Sequence, residues 1–165
     1  MLVRFTKNRP EAPADTLTCV RPDGSTTTRE MPRQGILPRD AACFVVEQRL
    51  GWTNAHFGAI ARGRSLAEPA AAARATAKAT KTSTESASAA GQCAALVECL
   101  QGEQWGGATD PAAFAIKLRA ACRRHGVVTP ALPDATIADL RAALREFGAA
   151  WRPLTPGHWV ERSYP

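Results

Sequence analysis

Thr16-Leu17-Thr18-Cys19-Val20, then Pro22-Asp23-Gly24-Ser25, then Thr26-Thr27-Thr28-Arg29-Glu30-Met31, is the stretch that decides the fold. Its first run alternates apolar and polar residues, the period of a strand with one buried face. Asp23-Gly24 suits a tight turn, because glycine accepts the positive φ that other residues resist. A β-hairpin is the reading. Leu2-Val3-Arg4-Phe5-Thr6 supplies a third strand beside it.

From Pro38 onward the period becomes helical. Pro38 fits a first helical position, Asp40 complements the N-terminal dipole and Gly51 is a C-terminal stop. Cys43, Val46 and Leu50 share one face of this helix and Phe44 lies on another, so it is expected to meet the core over a wide arc. A short helix follows from Asn54 to Arg62, closed by Gly63. Further on, Ser88–Leu100 places Ala89, Cys93, Leu96, Val97 and Leu100 on one stripe. Asp110 caps a helix that starts at Pro111, points Phe114, Leu118, Ala121 and Cys122 inward, and stops at Gly126. Asp134 caps the last helix, with Ile137, Leu140, Leu144 and Phe147 inward. The tail from Leu154 to Arg162 is strand-like and can return to the hairpin. The expectation is an α+β fold within a single domain: a small antiparallel sheet packed against four or five helices.

Between these elements, residues 66–90 are of low complexity. Pro69–Lys81 is nearly all Ala, Thr, Lys and Arg, and Thr80–Ser88 adds six Ser or Thr residues. An exposed helix leading into a mobile linker is expected there, since little of it can be buried.

Composition bounds the function. Of 165 residues, 33 are alanine, and Leu, Ile, Val and Phe together number only 29, a lean supply for one core. The formal charge of +6 is small for this length. No apolar run approaches the roughly 20 residues of a membrane span. Arg4, Lys7 and Arg9 interrupt any early apolar region, so no secretory signal is expected. The five cysteines are odd in number and lack the C-x-x-C spacing of zinc or redox motifs, which points to free thiols and a cytoplasmic location.

The segment Leu37-Pro38-Arg39-Asp40 through Phe44-Val45-Val46-Glu47, with Leu50-Gly51, Phe57-Gly58, Asp110-Pro111, Trp151 and Pro156-Gly157, resembles a group of short uncharacterised bacterial proteins. Their central helix reads Leu-Pro-His-Asp-x-x-His-Phe-x-Val-Glu. Arg39 and Cys43 stand here in place of the two histidines, while Asp40 and Glu47 keep the pattern. The resemblance implies a remnant of a His-Asp-His-Glu arrangement and brings no activity with it.

Two sets of residues are candidates for chemistry. Asp40, Cys43 and Glu47 fall on adjoining parts of one helical face, and His56 on the next helix offers a nitrogen, so a carboxylate–thiolate–imidazole metal site is conceivable. Arg39 opposes a cation there, and the blander reading is preferred: no metal, Cys43 in the core, Asp40 serving the dipole, Glu47 paired with Arg39 or another base. Arg74, Lys78 and Lys81, at i, i+4 and i+7, present charges that could follow phosphates, although no aromatic residue between 58 and 104 offers a stacking platform. His125 reads as a helix C-terminal cap, and His158 has no evident partner. No nucleophile elbow and no phosphate-binding glycine loop occurs, so no cofactor is expected. The functional expectation is a small non-catalytic protein acting through a protein partner or a ligand held between sheet and helices. A metal-dependent protein centred on the 38–50 helix ranks second, and a weak nucleic-acid-binding module third.

Overall fold

A computed structural model describes residues 1–33, 35–67, 82–108 and 110–165. In chain order it has β1 (Leu2–Thr6), β2 (Asp15–Val20), β3 (Thr26–Met31), α1 (Arg39–Leu50), α2 (His56–Ala61), α3 (Thr82–Gly106), α4 (Pro111–Arg124), α5 (Asp134–Trp151) and β4 (Trp159–Ser163). The architecture is α+β. The four strands form one antiparallel sheet in the order β3-β2-β1-β4. Phe5 therefore sits opposite both Leu17 and Val160.

The hairpin closes as its residues dictate. Gly24 adopts φ 80°, and the Arg21 N–H donates to the Ser25 carbonyl at 2.9 Å. One sheet face is apolar: Val3, Phe5, Leu17, Cys19, Met31 and Val160 are all buried. On that face Phe5 makes edge-to-face contacts with Phe44 of α1 and Phe147 of α5, at centroid separations of 5.7 and 5.2 Å. α1 is the central helix, packed against α2, α3 and α5, while α4 packs outside α3. Its wide burial follows: Ala41, Ala42, Phe44, Val45, Val46 and Glu47 are all buried. The lean core is filled by its few large side chains, with buried alanines on α1 (Ala41, Ala42) and α3 (Ala89, Ala95) taking little volume beside them.

Several boundaries differ from the sequence reading. The linker expected over Thr80–Ser88 is helical from Thr82. Cys93, Leu96, Val97 and Leu100 anchor the later turns in the core, and each added turn upstream then costs little. Leu66 is likewise buried, held where its N–H donates to the Thr27 hydroxyl at 2.9 Å. Asp134 is the first residue of α5 and not its cap, a position taken by Pro133. Asp110 does cap α4, accepting from the Ala113 N–H at 3.0 Å. The chain ends are tied together: Tyr164 is buried, its N–H donates to the Met1 carbonyl, and the Met1 ammonium donates to the Tyr164 carbonyl. No helix among the described residues is long and apolar enough to cross a membrane.

Candidate functional site

The residues proposed on the α1 face do not converge. Asp40 is engaged by Arg29 of β3, and burial pushes its carboxyl up from its ordinary value against that guanidinium. Cys43 is half-buried and faces α3, where the Cys93 thiol lies 3.9 Å from the Cys43 carbonyl oxygen. Glu47 turns another way.

Glu47 is completely buried, and among the described residues it pairs with neither Arg39 nor any other base. Its two oxygens accept from the His56 N–H at 3.0 Å and the Phe57 N–H at 2.8 Å. These are free donors at the start of α2, which has Ala55 at its cap and no side chain there to satisfy them. The Tyr164 hydroxyl donates to the Trp52 carbonyl at 2.9 Å and lies 3.4 Å from Glu47 Oε2. Desolvation dominates this environment and raises the Glu47 carboxyl to about 7, despite the N–H bonds that favour its charge. Glu47 is therefore the remote cap of α2 and a piece of scaffold.

His56 sits beside Glu47 only through its backbone. Its ring Nδ1 is 2.6 Å from Arg64 Nη2, which can only donate, so the proton is assigned to Nε2. Nε2 is buried without a hydrogen-bond partner among the described residues. Burial, with Arg64 next, pushes the imidazole down to about 3 and keeps it neutral. Among the described residues, no group of three or more His, Cys, Asp or Glu side chains is arranged to hold a metal ion. The other histidines serve structure: His125 meets Glu98 at 3.3 Å, and His158 Nδ1 meets the Thr155 hydroxyl at 2.8 Å. Arg74, Lys78 and Lys81 lie outside the described residues.

A roomy concavity lies elsewhere. A cleft of about 940 Å³ opens between the end of the sheet and helices α3 and α5. One wall comes from Lys7, Asn8, Asp15 and Arg33 near the sheet, another from Leu100, Glu103, Gln104 and Trp105 of α3. Its floor is a single stripe of α5 and the residue after it: Arg141, Leu144, Arg145, Gly148, Trp151 and Arg152. Those positions recur at i, i+3, i+4, i+7, i+10 and i+11, one continuous helical face. The Arg152 guanidinium folds back over Gly148, 3.4 Å from where a Cβ would stand.

The cleft is amphipathic. Leu37, Leu100, Leu144 and Trp151 are buried along it, while Trp105 stays 70% exposed at the α3 end. Its cations are Lys7, Arg33, Arg141, Arg145 and Arg152, against two carboxylates, an excess of three positive charges. Both carboxylates are engaged. Asp15 takes Arg33 Nε at 3.0 Å, and Glu103 takes Arg141 through two bonds of 2.8 and 2.7 Å. Lys7, Arg145 and Arg152 form no ion pair among the described residues. Lys7 Nζ donates to the Arg152 carbonyl at 3.0 Å and stands 5.8 Å over the Trp151 ring; Arg152 Nε donates to the Gly148 carbonyl at 3.2 Å. The stripe Arg141, Arg145, Gly148 and Arg152 stands at helical spacing in the sequence, beside the stronger apolar pattern of α5. The wall residues from the sheet end carry no local signal, since they meet α5 only through the fold.

Comparison of this chain with protein-family models, curated proteins and solved structures finds no match.

Proposed function

We propose that this protein is a non-catalytic binding module that holds a small amphipathic anion in the cleft between the sheet, α3 and α5. The observation that supports this reading is the pairing of an apolar, partly buried floor with three cations that have no acidic partner among the described residues. Ligand sites are concave, mainly apolar, and carry a few placed polar groups, and a volume of about 940 Å³ is at the large end of their range. Binding suits the cleft better than catalysis. Among its described lining residues there is no Ser, Cys, His or Tyr, both carboxylates are held by arginines, and the one amine, Lys7, is engaged by the Arg152 carbonyl.

A thermal-shift panel tests this. Alkyl carboxylates and alkyl phosphates should raise the melting temperature, by about 5–10 °C at a hundredfold excess over Kd for a chain of this size. Alkylammonium ions of equal length should not. The rise should shrink in Arg145→Glu and Arg152→Glu and with added salt. Equal response to anions and cations, or none to either, contradicts the reading.

A further inference from the structure

We infer that the ligand of this cleft joins its anionic group to a planar aromatic ring, with the ring stacked on Trp105 and the anion at Arg145. This rests on the cleft's being a binding site for an amphipathic anion, and it adds the chemical class and the orientation.

Two independent features carry it. Trp105 is 70% exposed although it lines the cleft, so its indole face is not consumed by packing within the fold. Trp151, the other cleft tryptophan, is only 6% exposed and forms floor, so it offers no such face. An aromatic ring presented to solvent inside a cationic groove is a stacking platform, on which flat π-systems bind better than saturated bodies.

The second feature is the position of the cations. Arg141 is held at Glu103, two residues before Trp105, through its bidentate ion pair. Arg145 lies one helical turn further along α5, about 6 Å by the rise of the helix. A ring on Trp105 with its anion at Arg145 would occupy the stretch of cleft that both residues line. Arg152 starts about 16 Å from Arg141 along the axis and its guanidinium folds back only to Gly148, which leaves Arg145, among the described residues, the nearer unpaired cation to the Arg141–Glu103 end. Leu100 and Leu144 line the same cleft and offer apolar surface to the ring. Phosphate and carboxylate are both readable by an arginine fork, and they are the two sources of the anion.

Calorimetric titration with four probes tests the inference: naphthalene-2-carboxylate, its saturated decalin counterpart, 1-naphthyl phosphate and octyl phosphate. Each aromatic probe should bind about tenfold tighter than its saturated partner. Trp105→Ala should remove that preference, weakening the aromatic probes about tenfold more than the saturated ones, and Trp105→Phe should keep most of it. Arg145→Glu should weaken both aromatic probes about tenfold, and Arg152→Glu should weaken them less. Tighter binding of naphthyl phosphate than of the carboxylate assigns a phosphate; the reverse assigns a carboxylate. Equal affinity for aromatic and saturated probes, or a preference that survives Trp105→Ala, overturns the inference and leaves the cleft as an anion site. Failure of all four probes overturns both readings together. Exposure of Trp105 keeps its variants folded, which circular dichroism verifies.

Discussion

Replacing Glu47 with glutamine should make stability respond to pH in a way that isolates one buried carboxyl. Glu47 ordinarily would ionise near 4.5, and burial raises it to about 7. Below pH 4.5 the folded and unfolded chains both keep the proton, so burial of the group carries no ionisation cost. Between 4.5 and about 7 the unfolded chain ionises while the folded chain does not, and stability falls as pH rises. The full loss, about 3 kcal/mol, is reached above pH 7. His56 acts in the opposite sense: its value is lowered from 6.5 to about 3, so its contribution grows as pH rises through that window. The two largely cancel in the wild type, and only the difference between variants reads Glu47. Glutamine accepts one of the His56 and Phe57 N–H groups and presents an amide to the other, at a pH-independent cost of about 1–3 kcal/mol. In urea unfolding, Glu47→Gln should therefore be no more stable than wild type at pH 5, and it should gain about 2–3 kcal/mol on it by pH 8. Parallel stability curves from pH 5 to 8 would refute the buried cap, because they would mean a solvated Glu47 with an ordinary value.

The remaining predictions concern packing and reactivity. A Cβ on Gly58 would lie 1.7 Å from the Thr53 carbonyl oxygen, so Gly58→Ala should cost about 3 kcal/mol, whereas Gly102→Ala, in open space on α3, should stabilise by about 0.5–1 kcal/mol in the same thermal melts. Arg21 donates to the Ile60 and Arg64 carbonyls at 2.7 Å each and ties the hairpin to α2, so Arg21→Ala should cost about 2 kcal/mol by urea unfolding. Iodoacetamide at pH 8, followed by peptide mass mapping, should label half-buried Cys43 before Cys19 and Cys99, whose thiols burial pushes up to about 12 and about 11.

What the sequence disclosed follows the range of each signal. The hairpin, the closing strand and the apolar stripes of α3, α4 and α5 rest on local periodicity and turn chemistry, and they were readable. Glu47 was not. Its spacing along α1 placed it near Asp40 and Cys43, but its partners come from residues 56 and 57, and α2 needs it because Ala55 cannot cap. Nothing in the order of residues announces that a short helix will be satisfied from a distance. Tyr164 is similar: a lone tyrosine near the end of the chain becomes core only because β4 pairs with β1 and carries it beneath Trp52. The cleft lies between these cases. Its α5 stripe is a local pattern, while the opposing wall depends on where the sheet ends.

The central claim is that the cleft over α5 is the binding surface, and the most direct measurement is amide chemical-shift mapping of the isotopically labelled protein titrated with octyl phosphate. The account predicts saturable shifts at Leu144, Arg145 and Gly148, at the Trp105 indole N–H and at Lys7, reduced by salt and by Arg145→Glu. Shifts confined to other surfaces, or none at millimolar probe, would contradict it.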